Sequence, residues 1–153
     1  SLIEVRQLIE ELPVIEEMNK TQFFDRFFVD AEEGRTEKDP FWGWYVFVLG
    51  VTGDIVTVQH QPEVGLVISP YTVWSSKVIY IDSGANEGKG IIRVQHLLEK
   101  SDENSIKSTD SKGEFIVTGV DVENGTYTVD YNKEVVGKTL IFYITMVEIK
   151  KPE

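Results

Sequence analysis

Val46-Phe-Val-Leu-Gly-Val-Thr-Gly-Asp-Ile-Val-Thr-Val-Gln-His60 sets two runs rich in β-branched residues on either side of Gly53-Asp54. Apolar residues at a period near two, broken by a Gly-Asp pair, are the signature of a β-hairpin. The pair suits a type II′ turn, which places Val51 opposite Val56 and Leu49 opposite Val58. Two later stretches repeat the design. One runs from Lys77-Val-Ile-Tyr-Ile-Asp through a Gly-rich turn to Ile92-Arg-Val-Gln-His96. The other runs from Phe115-Ile-Val-Thr-Gly-Val-Asp-Val through Glu123-Asn-Gly-Thr to Tyr127-Thr-Val-Asp-Tyr131. Their last strands end at His60, His96 and Tyr131, offsets of 36 and 35 residues, so three hairpins of one kind organise the chain.

The turns carry the detail. Asn124-Gly125 is a strong hairpin signal and predicts Val122 opposite Tyr127 and Val120 opposite Val129. The segment Ser83-Gly-Ala-Asn-Glu-Gly-Lys-Gly90 reads as a mobile, exposed loop. Pro62-Glu-Val-Gly65 matches Lys133-Glu-Val-Val-Gly137, and Thr139–Ile149 reads as a final strand.

Upstream the pattern changes. Leu2, Val5, Leu8, Ile9 and Leu12 recur at helical spacing up to Pro13, which predicts a first helix. A second is expected from Asn19 or Thr21, either of which can cap it, with Phe23, Phe24, Phe27 and Phe28 making one face aromatic. Residues 30–40 carry breakers and no periodicity. The expected organisation is an acidic, partly helical lead-in over 1–40, a repeated-hairpin domain over 41–137, and a final strand and tail over 138–153. The fold class is mainly β (α+β), an antiparallel arrangement of about three repeated hairpins with a short helical N-terminal segment.

The 153 residues are 41% hydrophobic, an ordinary globular value, and carry a net charge of −11. So acidic a chain repels a phosphate backbone and an anionic membrane surface, which argues against nucleic acid as a partner. No apolar run approaches the length of a membrane span, so no membrane insertion of this segment is expected. The chain has no cysteine, which excludes disulfides, thiol chemistry and cysteine-ligated zinc, and sets neither a cytoplasmic nor an extracytoplasmic compartment. The opening Ser-Leu-Ile-Glu reads as the start of a mature or excised piece.

Catalytic patterns are sparse. There is no G-x-S-x-G elbow. His60 and His96 occupy matching strand ends where the third copy has Tyr131, which favours a structural role over a metal or acid–base pair. Glu10-Glu11 and Glu16-Glu17 lie in a solvated acidic stretch, unsuited to raising a carboxyl pKa. Asp82–Glu87 and Asp121/Glu123 lack the calcium-loop pattern, and no metal or cofactor is expected. The aromatics stand out. Phe41, Trp42, Trp44 and Tyr45 fall within five residues, with Tyr71 and Trp74 further on. They read either as a core or as an exposed patch that grips apolar peptide segments.

The C-terminal stretch resembles a known family. Val129-Asp130-Tyr131-Asn132, Gly137-Lys138-Thr139-Leu140 and Phe142 match the V-x-V-D-x-N-H-P-L-A-G-K-T-L-x-F pattern that closes FKBP-type peptidyl-prolyl isomerases with an insert in the flap. Lys133–Val136 departs from H-P-L-A. Ser1-Leu-Ile-Glu is similar to the chain after the flap, and Thr21-Gln-Phe-Phe to the short helix opening the insert. The whole resembles the insert domain of large archaeal members plus the final FKBP strand; the V-x-V-x-Y-x-G opening and the G-x-x-x-P-G-x-E-x-A-L segment that shape the proline pocket are absent from it. The resemblance implies a chaperone-like module that binds unfolded or nascent, proline-containing polypeptide. It implies Phe142 as a pocket-wall residue and leaves the aromatics at 41, 42, 44, 45, 71 and 74 as candidate polypeptide contacts. The alternative is a non-enzymatic β-repeat module of an extracytoplasmic protein, whose acidic front steers one basic folded partner.

Overall fold

The structure, a computed structural model, describes residues 2–132. Three short strands come first: β1 (Ile3–Gln7), β2 (Ile9–Leu12) and β3 (Ile15–Asn19). Helix α1 (Lys20–Phe27) follows. Nine strands then fall in three groups: β4 (Thr36–Lys38), β5 (Tyr45–Thr52), β6 (Ile55–His60); β7 (Val67–Ile68), β8 (Ser76–Asp82), β9 (Ile91–His96); and β10 (Lys107–Asp110), β11 (Gly113–Asp121), β12 (Thr126–Asp130). Each group makes a four-stranded antiparallel sheet by adding one N-terminal strand, in the orders β3-β6-β5-β4, β2-β9-β8-β7 and β1-β12-β11-β10. The fold is mainly β, as expected, but each hairpin sits in its own sheet.

The helix predicted over residues 2–12 is not formed. Those residues are β1 and β2, and Ile3–Gln7 pair in register with Asp130–Thr126. An isolated helix of that length is marginal in water, whereas each strand closes the open edge of a hairpin already in place. The N-terminal ribbon carries a glutamate every six residues, at Glu4, Glu10 and Glu16, one for each sheet. The second expected helix is present. Asn19 caps α1 through a capping box in which Asn19 Oδ1 accepts from Gln22 N–H and Gln22 Oε1 accepts from Asn19 N–H.

The repeat is closer than the sequence spacing implies. Each hairpin has a bulge one residue after an inward valine. Val48, Val78 and Val117 face Val58, Val94 and Val129, and pairing then slips past Leu49, Ile79 and Thr118. All six valines are at most 1% exposed. Ahead of each hairpin a residue with positive φ turns the chain: Gly34, Gly65 and Asn104, at +86°, +98° and +62°. Their N–H groups donate to the carbonyls of Val48, Val78 and Val117, and those valines donate back to Arg35, Leu66 and Ile106. The turn at Pro62–Gly65 therefore opens a repeat, with its counterparts upstream and downstream at Gly34 and Asn104. Its sequence match at 133–137, the expected strand over 139–149 and Phe142 lie outside the described residues.

Two register expectations need correction. Val51 opposes Val56 as predicted, but the bulge places Val48, rather than Leu49, opposite Val58. The third hairpin turns through four residues, Val122–Gly125, so Val120 opposes Tyr127 and Val117 opposes Val129. Only Gly125 of the Asn-Gly pair has positive φ, which rules out the type I′ turn that the pair invites.

The chain divides into two compact units. One comprises residues 2–9, 71–74 and 97–132 of the described chain, the other residues 10–70 and 75–96. In the first, Leu8, Trp74, Leu98, Phe115, Val117, Val120, Tyr127 and Val129 form the core. In the second, two sheets and α1 share a core that includes Val14, Met18, Phe23, Phe27, Trp42, Trp44, Ile68 and four of the six valines. The loop over 83–90 is anchored at its end rather than free. Gly90 is buried, and Lys89 C=O accepts from Ile15 N–H at 2.8 Å.

Candidate functional site

The aromatic run at 41–45 passes through a turn before β5 begins at Tyr45: Gly43 has φ +82°, its N–H donates to Asp39 C=O, and Asp39 N–H donates to Trp44 C=O, each at 2.8 Å. Trp42 and Trp44 point into the core of the larger unit and stack with centroids 5.0 Å apart, while Phe41 and Tyr45 face solvent. A buried carboxylate fixes this arrangement. Asp39 Oδ1 accepts from the N–H groups of Phe41 and Trp42 at 2.9 and 3.0 Å, and Asp39 Oδ2 takes Arg26 Nη2 at 2.6 Å and Nε at 3.1 Å. Tyr71 and Trp74 belong to the other unit. They stack at 4.8 Å, and Trp74 packs edge-on against Tyr127. Burial of Trp42, Trp44 and Trp74 corrects the reading of the aromatics as one exposed patch. Trp42 and Trp44 still border recesses, but at 7% and 3% exposed they offer a ligand little ring surface. Of the six candidates, Phe41 and Tyr45 remain exposed and Tyr71 is half-buried.

Tyr45 borders a groove of about 470 Å³ lined by Gly43, Trp44, Tyr45 and the segment from Gln61 to Leu66. The segment is pinned at both ends. Gln61 N–H donates to Tyr45 C=O at 2.9 Å, and the Gly65 and Leu66 backbone pairs with Val78. The groove lining is mixed: Tyr45 is 57% and Val64 61% exposed, with Leu66 and Val67 open to solvent beside them, while Gln61 and Glu63 add an amide and a carboxylate. Sequence reasoning missed Val64 and Leu66. The signal was the Gly65 turn, which was read only as a repeat marker. Phe41 lines two further recesses, one of about 530 Å³ lined also by Lys38, Asp39, Pro40, Trp42, Gly43, Ile68 and Ser69, the other of about 380 Å³ lined also by Leu12, Pro13, Glu16, Arg26 and Trp42.

The histidines are built into the repeat. His60 and His96 are buried, and each points Nε2 at a ribbon glutamate: Glu16 Oε1 at 2.9 Å and Glu10 Oε1 at 2.9 Å. Their Nδ1 atoms meet Trp44 Nε1 at 2.9 Å and Ser76 Oγ at 2.8 Å. The His60 hydrogen bond holds the Glu16 carboxyl below the usual carboxylate range; burial opposes this, and the Arg26 charge adds to it. In the third sheet Tyr131 takes the place of histidine. Its hydroxyl and Arg6 Nη2 both meet Asp110 Oδ2, the latter at 2.7 Å, and Arg6 lies 5.1 Å from the Phe115 ring centre. Burial and the Asp110 hydrogen bond push the Tyr131 hydroxyl well above its ordinary pKa.

Among the described residues no group of three His, Asp or Glu side chains gathers to hold a metal ion. Asp82 and Asp121, weighed above for calcium, accept from Gly84 N–H and Asn124 N–H and so shape their own turns. No helix among the described residues is long and apolar enough to cross a membrane. Set against protein-family models, curated proteins and solved structures, the chain matches none of them.

Proposed function

We propose that this chain is a polypeptide-binding module of the kind found as the insert domain of FKBP-type peptidyl-prolyl isomerases, holding unfolded or nascent chains through apolar surface. The observation that carries this reading is the groove beside Tyr45. It presents Tyr45, Val64 and Leu66 to solvent, and it lies on a chain of net charge −11. An exposed apolar cluster on a strongly charged molecule marks a place where contact is made. Tyrosine supplies a broad contact area with few rotatable bonds. A groove whose polar side chains are one tyrosine hydroxyl, the Gln61 amide and the single Glu63 carboxylate suits weak, sequence-tolerant binding.

Isomerisation by this chain alone is expected to be slight. Rotation about an X-Pro bond is slow because of its barrier, and catalysis needs an enclosing apolar pocket. The segments that shape the family's proline pocket are not found in this sequence, and Trp42, Trp44 and Trp74 pack in the two cores. The test is an NMR titration of the isotope-labelled chain with a permanently unfolded, proline-containing polypeptide at low and high salt. Shifts of Tyr45, Val64 and Leu66 that persist in salt are expected. Unchanged spectra at saturating polypeptide would overturn the reading.

A further inference from the structure

Helix α1 carries two adjacent aromatic stripes. Phe23 and Phe27 are buried in the core of the larger unit, whereas Phe24 is 48% and Phe28 73% exposed. The expected single aromatic face is thus divided, because rings one position apart stand about 100° apart around a helix and one core layer takes only one stripe. Phe28 is also the helix C-cap, at φ +61° and ψ +23°, with its N–H donating to Phe24 C=O at 2.8 Å. It is the one aromatic residue with positive φ among those described. Glycine or asparagine fits that position without steric cost, while a bulky side chain is strained there. Strain kept at an exposed ring calls for a use of the ring.

The charge around the pair indicates what it meets. Asp25, Asp30, Glu32 and Glu33 all lie within five residues of Phe28 and are exposed. Both nearby arginines are engaged elsewhere, Arg26 inward to Glu16 and Asp39 and Arg35 with Glu37, while Lys20 lies exposed one helical turn before Phe24. Among the described residues none of the four carboxylates forms a salt bridge, and they outnumber the exposed Lys20, so the charge near the two exposed rings is net negative.

We propose that Phe24 and Phe28 form a docking surface for cationic, apolar polypeptide segments, in which Lys or Arg side chains meet Asp25, Asp30, Glu32 and Glu33 while apolar side chains cover the two rings. This rests on the polypeptide-binding reading and specifies which segments are held, at a surface separate from the Tyr45 groove. The negative field accelerates encounter and rejects acidic segments, and the rings supply the apolar contact.

The test uses the full chain and two fluorescent twelve-residue peptides, one alternating Lys with Leu and Phe, the other with Glu in place of Lys, followed by anisotropy. The cationic peptide is expected to bind at least about tenfold more tightly at low salt, and the difference to shrink as salt screens it. Phe28→Gly and Phe28→Asn are expected to weaken the cationic peptide about fivefold or more. Because both residues suit positive φ, neither variant should melt earlier than the parent chain, which separates lost contact from lost fold. Glu32→Gln with Glu33→Gln should reduce the salt dependence. Equal binding of the two peptides, or undiminished affinity in Phe28→Gly, overturns this proposal while leaving the groove reading standing. Failure of both peptides and of an unfolded polypeptide to bind overturns both.

Discussion

Glu16 Oε1 stands 2.9 Å from His60 Nε2, and the opposite ring nitrogen, Nδ1, takes Trp44 Nε1 at 2.9 Å. An indole N–H can only donate, so Nδ1 must be the acceptor and Nε2 must carry the hydrogen that goes to Glu16. The strand end, the ribbon and the aromatic run are thereby joined through one imidazole. Long-range nitrogen–proton NMR should find His60 as the Nε2–H tautomer. An Nδ1–H tautomer would contradict the arrangement. Trp44→Phe should remove the lock and let both tautomers appear.

Acid should destabilise the fold through the same ribbon. Glu4 and Glu16 are both held below their ordinary value of 4.5, Glu4 by the Lys112 hydrogen bond first and Glu16 by that of His60. A carboxyl whose pKa is lower in the folded state releases its proton more readily there, so the unfolded chain binds more protons. Stability from these groups is therefore fully present above about pH 5 and lost as pH falls through the folded-state values. Urea midpoints measured from pH 7 to pH 3 should fall steadily below pH 4.5. In Glu16→Gln the slope should be shallower, and an unchanged slope would show that the pairing contributes nothing to the acid response.

The hairpins were legible in the sequence because their turns are local. Gly53-Asp54 needs only neighbouring residues to fold, and the strand ends at His60, His96 and Tyr131 recur with it. The ribbon was not legible. Ile3 and Val5 find partners at Asp130 and Thr128, more than a hundred residues away, and no short window contains that information. Their spacing with Leu8, Ile9 and Leu12 happens to fit a helix. The bulges past Leu49, Ile79 and Thr118 were equally silent, since a bulge is one unpaired residue and leaves composition unchanged. For the site, Tyr45 was readable as an aromatic but its exposure was not. Gly43, at φ +82°, lies between Trp42 and Trp44, and buried Asp39 orients the run, so two rings are sent inward and two outward.

Asp39→Ala should be among the more damaging single changes to the larger unit. The carboxylate satisfies two backbone N–H groups and the Arg26 guanidinium, and Asp39 itself is wholly shielded from solvent. Its loss removes the acceptor of four N–H donors at once, two on the backbone and two on Arg26. Breaking a buried pair costs about 3–5 kcal/mol when the remaining charge stays dry. Arg26 keeps about a quarter of its side chain in water, so about 2–3 kcal/mol is expected here after solvent screening. Asp39→Asn keeps an oxygen for Phe41 and Trp42 and should cost less. Chemical denaturation followed by tryptophan fluorescence checks both, and equal losses for the two variants would mean that the Arg26 charge, rather than the backbone N–H groups, sets the cost.

Gly90→Ala tests whether the loop over 83–90 is part of the packed structure. Gly90 sits at φ +79°, and a methyl group built there would lie 2.6 Å from Val14 Cγ2 and 2.7 Å from Val14 Cβ. A branched side chain held in the core cannot swing aside as a surface lysine could, so the backbone itself must shift. That shift pulls on Ile15, the first residue of β3, whose N–H bonds to Lys89 C=O. Left-handed backbone costs an alanine about 1–2 kcal/mol, and overpacking a core adds about 1–3 kcal/mol. A loss of about 2–5 kcal/mol is therefore expected in urea unfolding of Gly90→Ala. Gly88→Ala is the control: Gly88 shares the positive φ, at +88°, but has no atom within 4 Å of the added methyl group, so it should lose only the backbone part. If the two variants lose the same amount, Val14 is not the wall against which the loop is set.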